Sequence, residues 1–368
     1  MNEKRVLIVA QTPPPLHGQS IMQKYLVDVE WNWCKKEFVR MDFSKEIKEV
    51  GTFNVRKLSQ LMKIIQTVRK KGKVPFELVY YPPAGPNRIP IYRDIILLFL
   101  LKKVSSKIIL HFHAGGVNQI FNKVSRMESF LIKRAFNGVD GVIVLSEWLK
   151  NEVQWCRPKK LFVVGNGIED VFDDFPRKES LKSATSFLFI GNLKKEKGIF
   201  NLLEAAYLLK KRNIKFQIKF VGSFHSSTEE QSFIAYVKEK DLADFIYYLG
   251  PKSGNEKWKE FQNADIFCLP TFETEAMPIS ILEAMMFQLP VITTNWRSIP
   301  DIIRNGENGL LFEPGNAEQL SQCMQQLIHD QSEKQRMGIQ ARRDYLQNFT
   351  VNQHLKKMEA AFKEVMAK

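Results

Sequence analysis

Two glutamates eight residues apart, Glu275 and Glu283, lie in the stretch 272–285, just after an apolar run that ends at Leu269-Pro270. Pro278 fits the first position of a helix, where its missing N–H costs nothing. The free amides of such a first turn bind phosphate oxygens, and the helix dipole favours the negative charge. Glu275 then falls in the loop before the helix and Glu283 about two turns further on, so the pair would hold different parts of one elongated ligand. Ionised carboxylates repel a diphosphate but accept hydrogen bonds from sugar hydroxyls on either side of it. An amphipathic helix with solvated glutamates accounts for the same residues without a ligand.

Three further clusters also sit where apolar runs stop. Residues 189–198 read Phe-Ile-Gly-Asn-Leu-Lys-Lys-Glu-Lys-Gly, and Lys197 before a helix start can neutralise charge building on a departing nucleotide. A solvated basic loop is the plainer reading. Residues 11–20 hold three prolines, His17 and Gly18. Gly18 lets backbone approach a ligand closely, yet the stretch is neither the dinucleotide fingerprint nor a phosphate-binding P-loop. At 111–116, His-Phe-His-Ala-Gly-Gly places His113 at a strand end facing a ligand, with His111 on the same side of the pleat and structural.

The elements that must position these clusters follow a strand–helix rhythm. Apolar strands are predicted at 5–10, 77–81, 107–112, 141–145 and 161–164, with helices at 55–70, 91–104, 123–136 and 147–153. A polar stretch at 171–186 reads as a linker. The rhythm restarts with strands at 187–190, 217–221, 245–249, 265–269 and 291–294. Helices are expected at 199–211, 229–240, 256–263 and 279–287, two more between 317 and 348, and a last one from 351. Short buried strands alternating with helices predict parallel sheets covered on both faces. The expectation is therefore α/β: a first Rossmann-like domain at 1–170, a second at 187–350, and a cleft between their strand ends.

Composition narrows the partners. The 368 residues include 54 Lys and Arg against 40 Asp and Glu. Residues 1–170 hold 28 basic and 15 acidic residues, residues 171–368 hold 26 and 25. The first half thus faces something anionic: nucleic acid, an anionic membrane surface or a diphosphate-bearing substrate. Four scattered cysteines suggest a reducing compartment, and the two neighbouring histidines lack companions for a zinc site. The apolar run 95–101 is too short to span a bilayer. A cytoplasmic or peripheral membrane protein is expected.

Together these clusters resemble the retaining family 4 glycosyltransferases of the GT-B fold, over nearly the whole chain. The resemblance rests on 13–20, 111–116, 142–149, the turn Gly165-Asn166-Gly167, 191–198, Gly222, 275–285 and 305–310. It implies a hexosyl- or N-acetylhexosaminyl-transferase that acts on a UDP- or GDP-linked sugar. Glu275 would contact the donor sugar and Glu283 the ribose. The amides of Met277, Pro278 and Ile279, with Lys197, would hold the diphosphate. His113 would face the transferred sugar, and the Gly18 loop would reach the diphosphate from the first domain. The base would lie near Leu249 and Lys252. The last helix, 351–368, would cross back onto the first domain.

Asn192 stands where the family often has Arg, so Lys194 or Lys195 is the expected substitute. His17, Ala276 and Pro278 likewise stand where glycine is frequent. The family retains anomeric configuration by front-face attack, the donor phosphate taking the acceptor proton. With no D-x-D sequence, no metal cofactor is expected. The acceptor expected is lipid-linked or an oligosaccharide, as in bacterial surface-polysaccharide or glycan assembly, at an anionic membrane face. A sugar-nucleotide epimerase or phosphorylase shares the fold and is the nearest alternative. A basic nucleic-acid-binding module is the remote one, and no nucleic-acid motif supports it.

Overall fold

The computed structural model describes residues 4–15, 18–43, 55–176 and 184–367. They form two compact α/β units. His17 and residues 177–183, on which parts of the loop and linker readings fall, lie outside the described residues.

The first unit comprises residues 1–167, Glu275–Met277 and Val351–Lys368. Its elements are β1 (Lys4–Ala10), α1 (Gly18–Asp28), β2 (Cys34–Arg40), α2 (Val55–Lys71), β3 (Leu78–Tyr81) and α3 (Arg88–Val104). They continue with β4 (Ile108–Phe112), α4 (Arg126–Phe136), β5 (Gly141–Val144), α5 (Lys150–Val153) and β6 (Lys160–Val163). The strands are parallel, in the order β2-β1-β3-β4-β5-β6. The central strands are buried on both faces, which is why they read as unbroken apolar runs.

One face of this sheet is closed by residues nearly two hundred positions further on. Met358, Ala361, Phe362 and Val365 cluster on Ile8, Tyr80, Ile109 and Ile143, and they belong to the helix Val351–Met366. Phe362 stands edge-on to Trp31 at 5.2 Å and tilted to Tyr80 at 5.6 Å. The Lys107 ammonium donates to the carbonyls of Val365 and Ala367 at 2.8 and 3.0 Å. It thereby satisfies acceptors that a helix end leaves open.

The second unit comprises Ile168–Thr274 and Pro278–Thr350. It runs β7 (Thr185–Ile190), α6 (Ile199–Lys211), β8 (Phe216–Val221), α7 (Ser227–Glu239), β9 (Ile246–Tyr248) and α8 (Gly254–Gln262). Then come β10 (Ile266–Leu269), α9 (Ile279–Met286), β11 (Val291–Thr294), β12 (Gly309–Phe312), α10 (Ala317–His329) and α11 (Gln331–Asn348). The chain-terminal helix above is α12. The strand order is β12-β11-β10-β7-β8-β9, again parallel.

Three elements, α1, β2 and β12, were not expected from sequence. Both strands are sheet edges, and β2 carries polar residues in Lys35, Lys36, Glu37 and Arg40. An edge strand needs no continuous apolar run. The start of the expected linker is packed rather than free. Phe172 lies edge-on to Phe287 at 6.3 Å, and the Arg342 guanidinium sits 4.7 Å over its ring. Arg342 also donates to both oxygens of Asp170, at 2.9 and 2.7 Å.

Candidate functional site

In the second sheet the strand order reverses between β7 and β10. The crevice outside the carboxyl ends of the strands at such a reversal is where open α/β sheets bind ligands. Two of the motifs emerge there. The loop after β7 passes through Gly191 and Asn192 to a 3-10 turn at Lys195–Lys197. Gly198 follows with φ +79°, and a Cβ on it would stand 2.0 Å from the Pro270 carbonyl oxygen. Only glycine lets this loop lie so close to the end of β10. The Phe272 N–H donates to the Glu196 carbonyl at 2.8 Å and joins the two loops directly.

Two lysines converge at this junction on one carboxylate. Lys194 pairs with Oε1 of Glu273, and the Lys197 ammonium lies 3.3 Å from its Oε2. Burial pushes the Glu273 carboxyl up, but the hydrogen bond from Lys194 and the charges of both lysines outweigh it and hold the group below its ordinary value. Lys194, and not exposed Lys195, therefore shares the partner of Lys197. Asn192 is exposed.

Helix α9 starts at Ile279, so Pro278 lies before its first position rather than in it. Pro278 is its N-cap, with φ −65° and ψ 116°, and no side chain caps the first turn. Having no N–H, Pro278 cannot donate to a phosphate, so the reading of its amide as a ligand is corrected. The neighbouring donors are the amides of Ile279 and Ser280, with Met277 on the other side. Glu283 sits inside α9, 7% exposed. Lys257 of α8 donates to it at 2.6 Å. Burial raises the Glu283 carboxyl above its ordinary value despite that lysine.

The stretch from Leu249 to Lys252 runs beside β8. The Gly222 N–H donates to the Gly250 carbonyl at 3.0 Å, and the Tyr248 hydroxyl donates to the Gly222 carbonyl at 3.2 Å. Leu249 is half-buried. Lys252 turns toward α8 and pairs with Glu260.

The first unit holds the histidine motif. The rings of His111 and His113 lie 3.9 Å apart, on one side of the strand end. His111 Nδ1 meets the Tyr80 hydroxyl at 2.8 Å. Burial, with His113 and His354 nearby, holds His111 well below its ordinary pKa and therefore neutral. The glycines after His113 are fixed by buried Glu152, which accepts from the N–H groups of Gly116 and Val117 at 2.5 and 3.3 Å. His354 of α12 bonds the Gly165 carbonyl through Nδ1 at 2.7 Å. A carbonyl only accepts, so that nitrogen carries the proton.

Gly18 opens α1. Arg40, at the end of β2, donates to the Pro13 carbonyl of the preceding loop at 3.0 Å. Glu275 and Met277 group with the first unit, where the Asn166 N–H meets the Met277 sulfur at 3.2 Å. Thus Lys194, Lys197, Ile279 and Glu283 share one unit, while Glu275, Met277, His113 and Gly18 belong to the other. Glu273, Lys257, Glu152 and Arg40 were missed in the sequence. Glu273 at least lay inside a motif; the others carry no local signal.

Residues 171–344 match the family Glycosyl transferases group 1. This stretch is similar to the group 1 glycosyltransferases. The matched residues include Lys194, Lys197, Glu273, Glu275 and Glu283. The chain is 26% identical over 205 residues to the amylovoran biosynthesis glycosyltransferase of Erwinia amylovora, covering 54% of this chain and 49% of that one. The chain spans about half the length of the curated relatives it matches first.

Whole-chain likeness comes from structure. A Rickettsia africae glycosyltransferase superposes with TM-score 0.75 at 19% identity, over 100% of both chains. An Anabaena protein solved with UDP superposes with TM-score 0.74 at 14% identity, over 98% of this chain and 100% of that one. The fold is GT-B.

Proposed function

We propose that the chain is a glycosyltransferase that moves a hexosyl or N-acetylhexosaminyl group from a UDP- or GDP-linked donor to a lipid-linked or oligosaccharide acceptor, with retention. The observation that carries this reading is the convergence of Lys194 and Lys197 on Glu273 at the reversal between β7 and β10. A preformed cationic clamp beside an uncapped helix start suits a diphosphate, whose charge grows as the glycosidic bond breaks. The match of residues 171–344 and the UDP bound by the Anabaena protein agree with it.

In this reading Lys197, Lys194 and the amides of Ile279 and Ser280 take the diphosphate. Glu283 accepts from the ribose, Glu275 from the donor sugar, and the segment from Leu249 to Lys252 lies along the base. His113 faces the transferred sugar, and the loop before Gly18 approaches the diphosphate. The bond from the anomeric carbon to the phosphate oxygen breaks as the acceptor oxygen attacks the same face. The released phosphate takes the acceptor proton, so no protein base is consumed. The setting is polysaccharide assembly at the inner face of a membrane, in keeping with the biosynthetic role printed in the name of the Erwinia relative.

A panel of nucleotide sugars, each tested for thermal stabilisation, checks the donor. One UDP- or GDP-sugar should raise the melting temperature, and transfer should continue in a chelator. No stabilisation by any of them would defeat the proposal. Turnover that yields free epimer, or needs only inorganic phosphate, would replace it with the epimerase or phosphorylase reading.

A further inference from the structure

The first sheet has a reversal of its own, between β1 and β3, and so a second crevice of the kind that takes ligands. A cavity of about 320 Å³ lies there, within the size range of small-molecule sites. Its lining is mostly apolar. Phe43 follows β2, Leu58 and Leu61 come from α2, Pro83 follows β3, and Ile89 and Ile96 come from α3.

The cations of this cavity are Lys57 and Arg93. The Arg93 guanidinium sits 4.8 Å over the Phe43 ring and donates twice to Asp94, at 2.9 and 2.7 Å. Asp94 is fully buried. It also accepts from the Tyr81 hydroxyl at 2.6 Å and from the Ala84 N–H at 2.7 Å, which fixes both the arginine and the wall after β3. Among the described residues the guanidinium thus spends two of its five N–H groups on Asp94, leaving donors for an anion.

Outside the cavity the apolar surface continues. Leu58 and Met62 on α2, Ile89, Tyr92 and Ile96 on α3, and Met127 and Phe130 on α4 recur at three- and four-residue spacing, each at least 40% exposed. Helix α3 packs against both α2 and α4, so these stripes lie on neighbouring helices. Helix α2 adds six basic residues and no acidic one. Exposed apolar stripes set among cations match the two halves of an anionic amphiphile: chain against apolar side chain, phosphate against ammonium and guanidinium.

We propose that this cavity binds the hydrocarbon chain of a long-chain lipid phosphate, with the phosphate toward Lys57 and Arg93. The ligand's part as acceptor rests on the glycosyltransferase reading; its binding does not. The probe is dodecyl phosphate bearing a chain diazirine, kept below its critical micelle concentration and photolysed with the full chain. Labelled peptides are mapped by mass spectrometry.

Label is expected on α2 and the first half of α3, displaced by unlabelled dodecyl phosphate. Inorganic phosphate and dodecyl maltoside should displace it at least ten-fold less well. Ala84→Trp, which fills the cavity, and Leu58→Glu, at an exposed position that tolerates a charge, should each cut labelling at least ten-fold. The proposal is overturned if label spreads over the surface, if inorganic phosphate competes as well as the lipid, or if Leu58→Glu labels like the parent. Titration of the same preparation with UDP and with GDP separates the two readings. Labelling with neither UDP nor GDP bound in parallel titrations removes the glycosyltransferase, and binding of either nucleotide without labelling removes only the lipid site.

Discussion

Glu273 occupies the two lysines that the donor diphosphate would need. In the proposed reading the carboxylate offsets one of the two positive charges, and the diphosphate would have to displace a group that is itself well paired. Glu273→Gln should tighten binding of the free nucleoside diphosphate several-fold in calorimetric titration, because one competitor for the ammonium groups is gone. Weaker binding would show that Glu273 holds the lysines in place for the ligand instead. The two motif glutamates should divide differently. Glu283→Ala removes a charge-assisted contact of about 1.5–3 kcal/mol and should weaken the nucleoside diphosphate. Glu275→Ala should leave that binding nearly intact and depress turnover. Equal losses in the two titrations would sink the assignment. Lys257, which pairs with Glu283, would in the proposed reading be the second point where ligand and protein compete for one group.

The elements show what a sequence makes legible. Central strands such as β4 and β10 are buried on both faces, so their apolar runs announce them. Edge strand β2 is not announced in this way, because Lys35, Lys36, Glu37 and Arg40 interrupt its apolar residues; β12 is only four residues long. The candidate site was read from motifs at strand ends, since strand ends are where such sheets bind ligands. Its pairings were not. Lys194 and Glu273 meet only because β7 and β10 become neighbours, across 79 residues of sequence. The placement of Pro278 as cap rather than first helical residue shifts the donor amides by one position, a detail below the resolution of any periodicity.

Buried histidines on two elements of the first unit also set a pH dependence. Burial depresses the pKa of His111 on β4 and of His354 on α12. The unfolded chain, with histidines near their ordinary value of about 6.5, binds more protons than the fold at acid pH, so this stabilisation is complete above that value and is lost as pH falls below it. Glu273 and Glu260, both held below their ordinary value, lose their contribution only at lower pH, through the carboxylate range. Glu283 runs the other way, since its raised carboxyl favours the fold as pH falls. The urea midpoint should therefore drop between pH 7.5 and 5.5. His354→Asn, which can still donate to the Gly165 carbonyl, should flatten that drop. An unchanged slope would assign the effect elsewhere.

For the whole molecule, the uneven charge has two parts. Some of the basic excess is internal bookkeeping of helix ends. Lys36 donates to the carbonyls of Leu26 and Val27, Lys102 to that of Asn137, and Lys107 to those of Val365 and Ala367. Exposed Lys63, Arg69 and Lys70 of α2, on the helix that also carries exposed Leu58 and Met62, are the part that faces solvent. No described helix is long and apolar enough to cross a membrane. Each cation near an anionic bilayer contributes about 1 kcal/mol, eroded by salt. Co-sedimentation with anionic vesicles should be strong at low salt, weaker at high salt and slight with neutral vesicles. Indifference to anionic vesicles at low salt would remove the membrane from the proposal and leave the transferase untouched.

The closing of the first sheet by α12 also orders events during synthesis. Tyr80, Ile109 and Ile143 leave the ribosome long before Phe362, their cover. At about 5–20 residues per second, the interval between the end of β6 and the end of α12 is roughly 10–40 seconds. Through that interval the nascent first unit shows an uncovered apolar face, while the second unit, translated later, already has most of its own layers. Its completion can thus precede that of the unit before it. Chaperone contact and proteolytic sensitivity should concentrate on the earlier half of the chain until its last helix emerges.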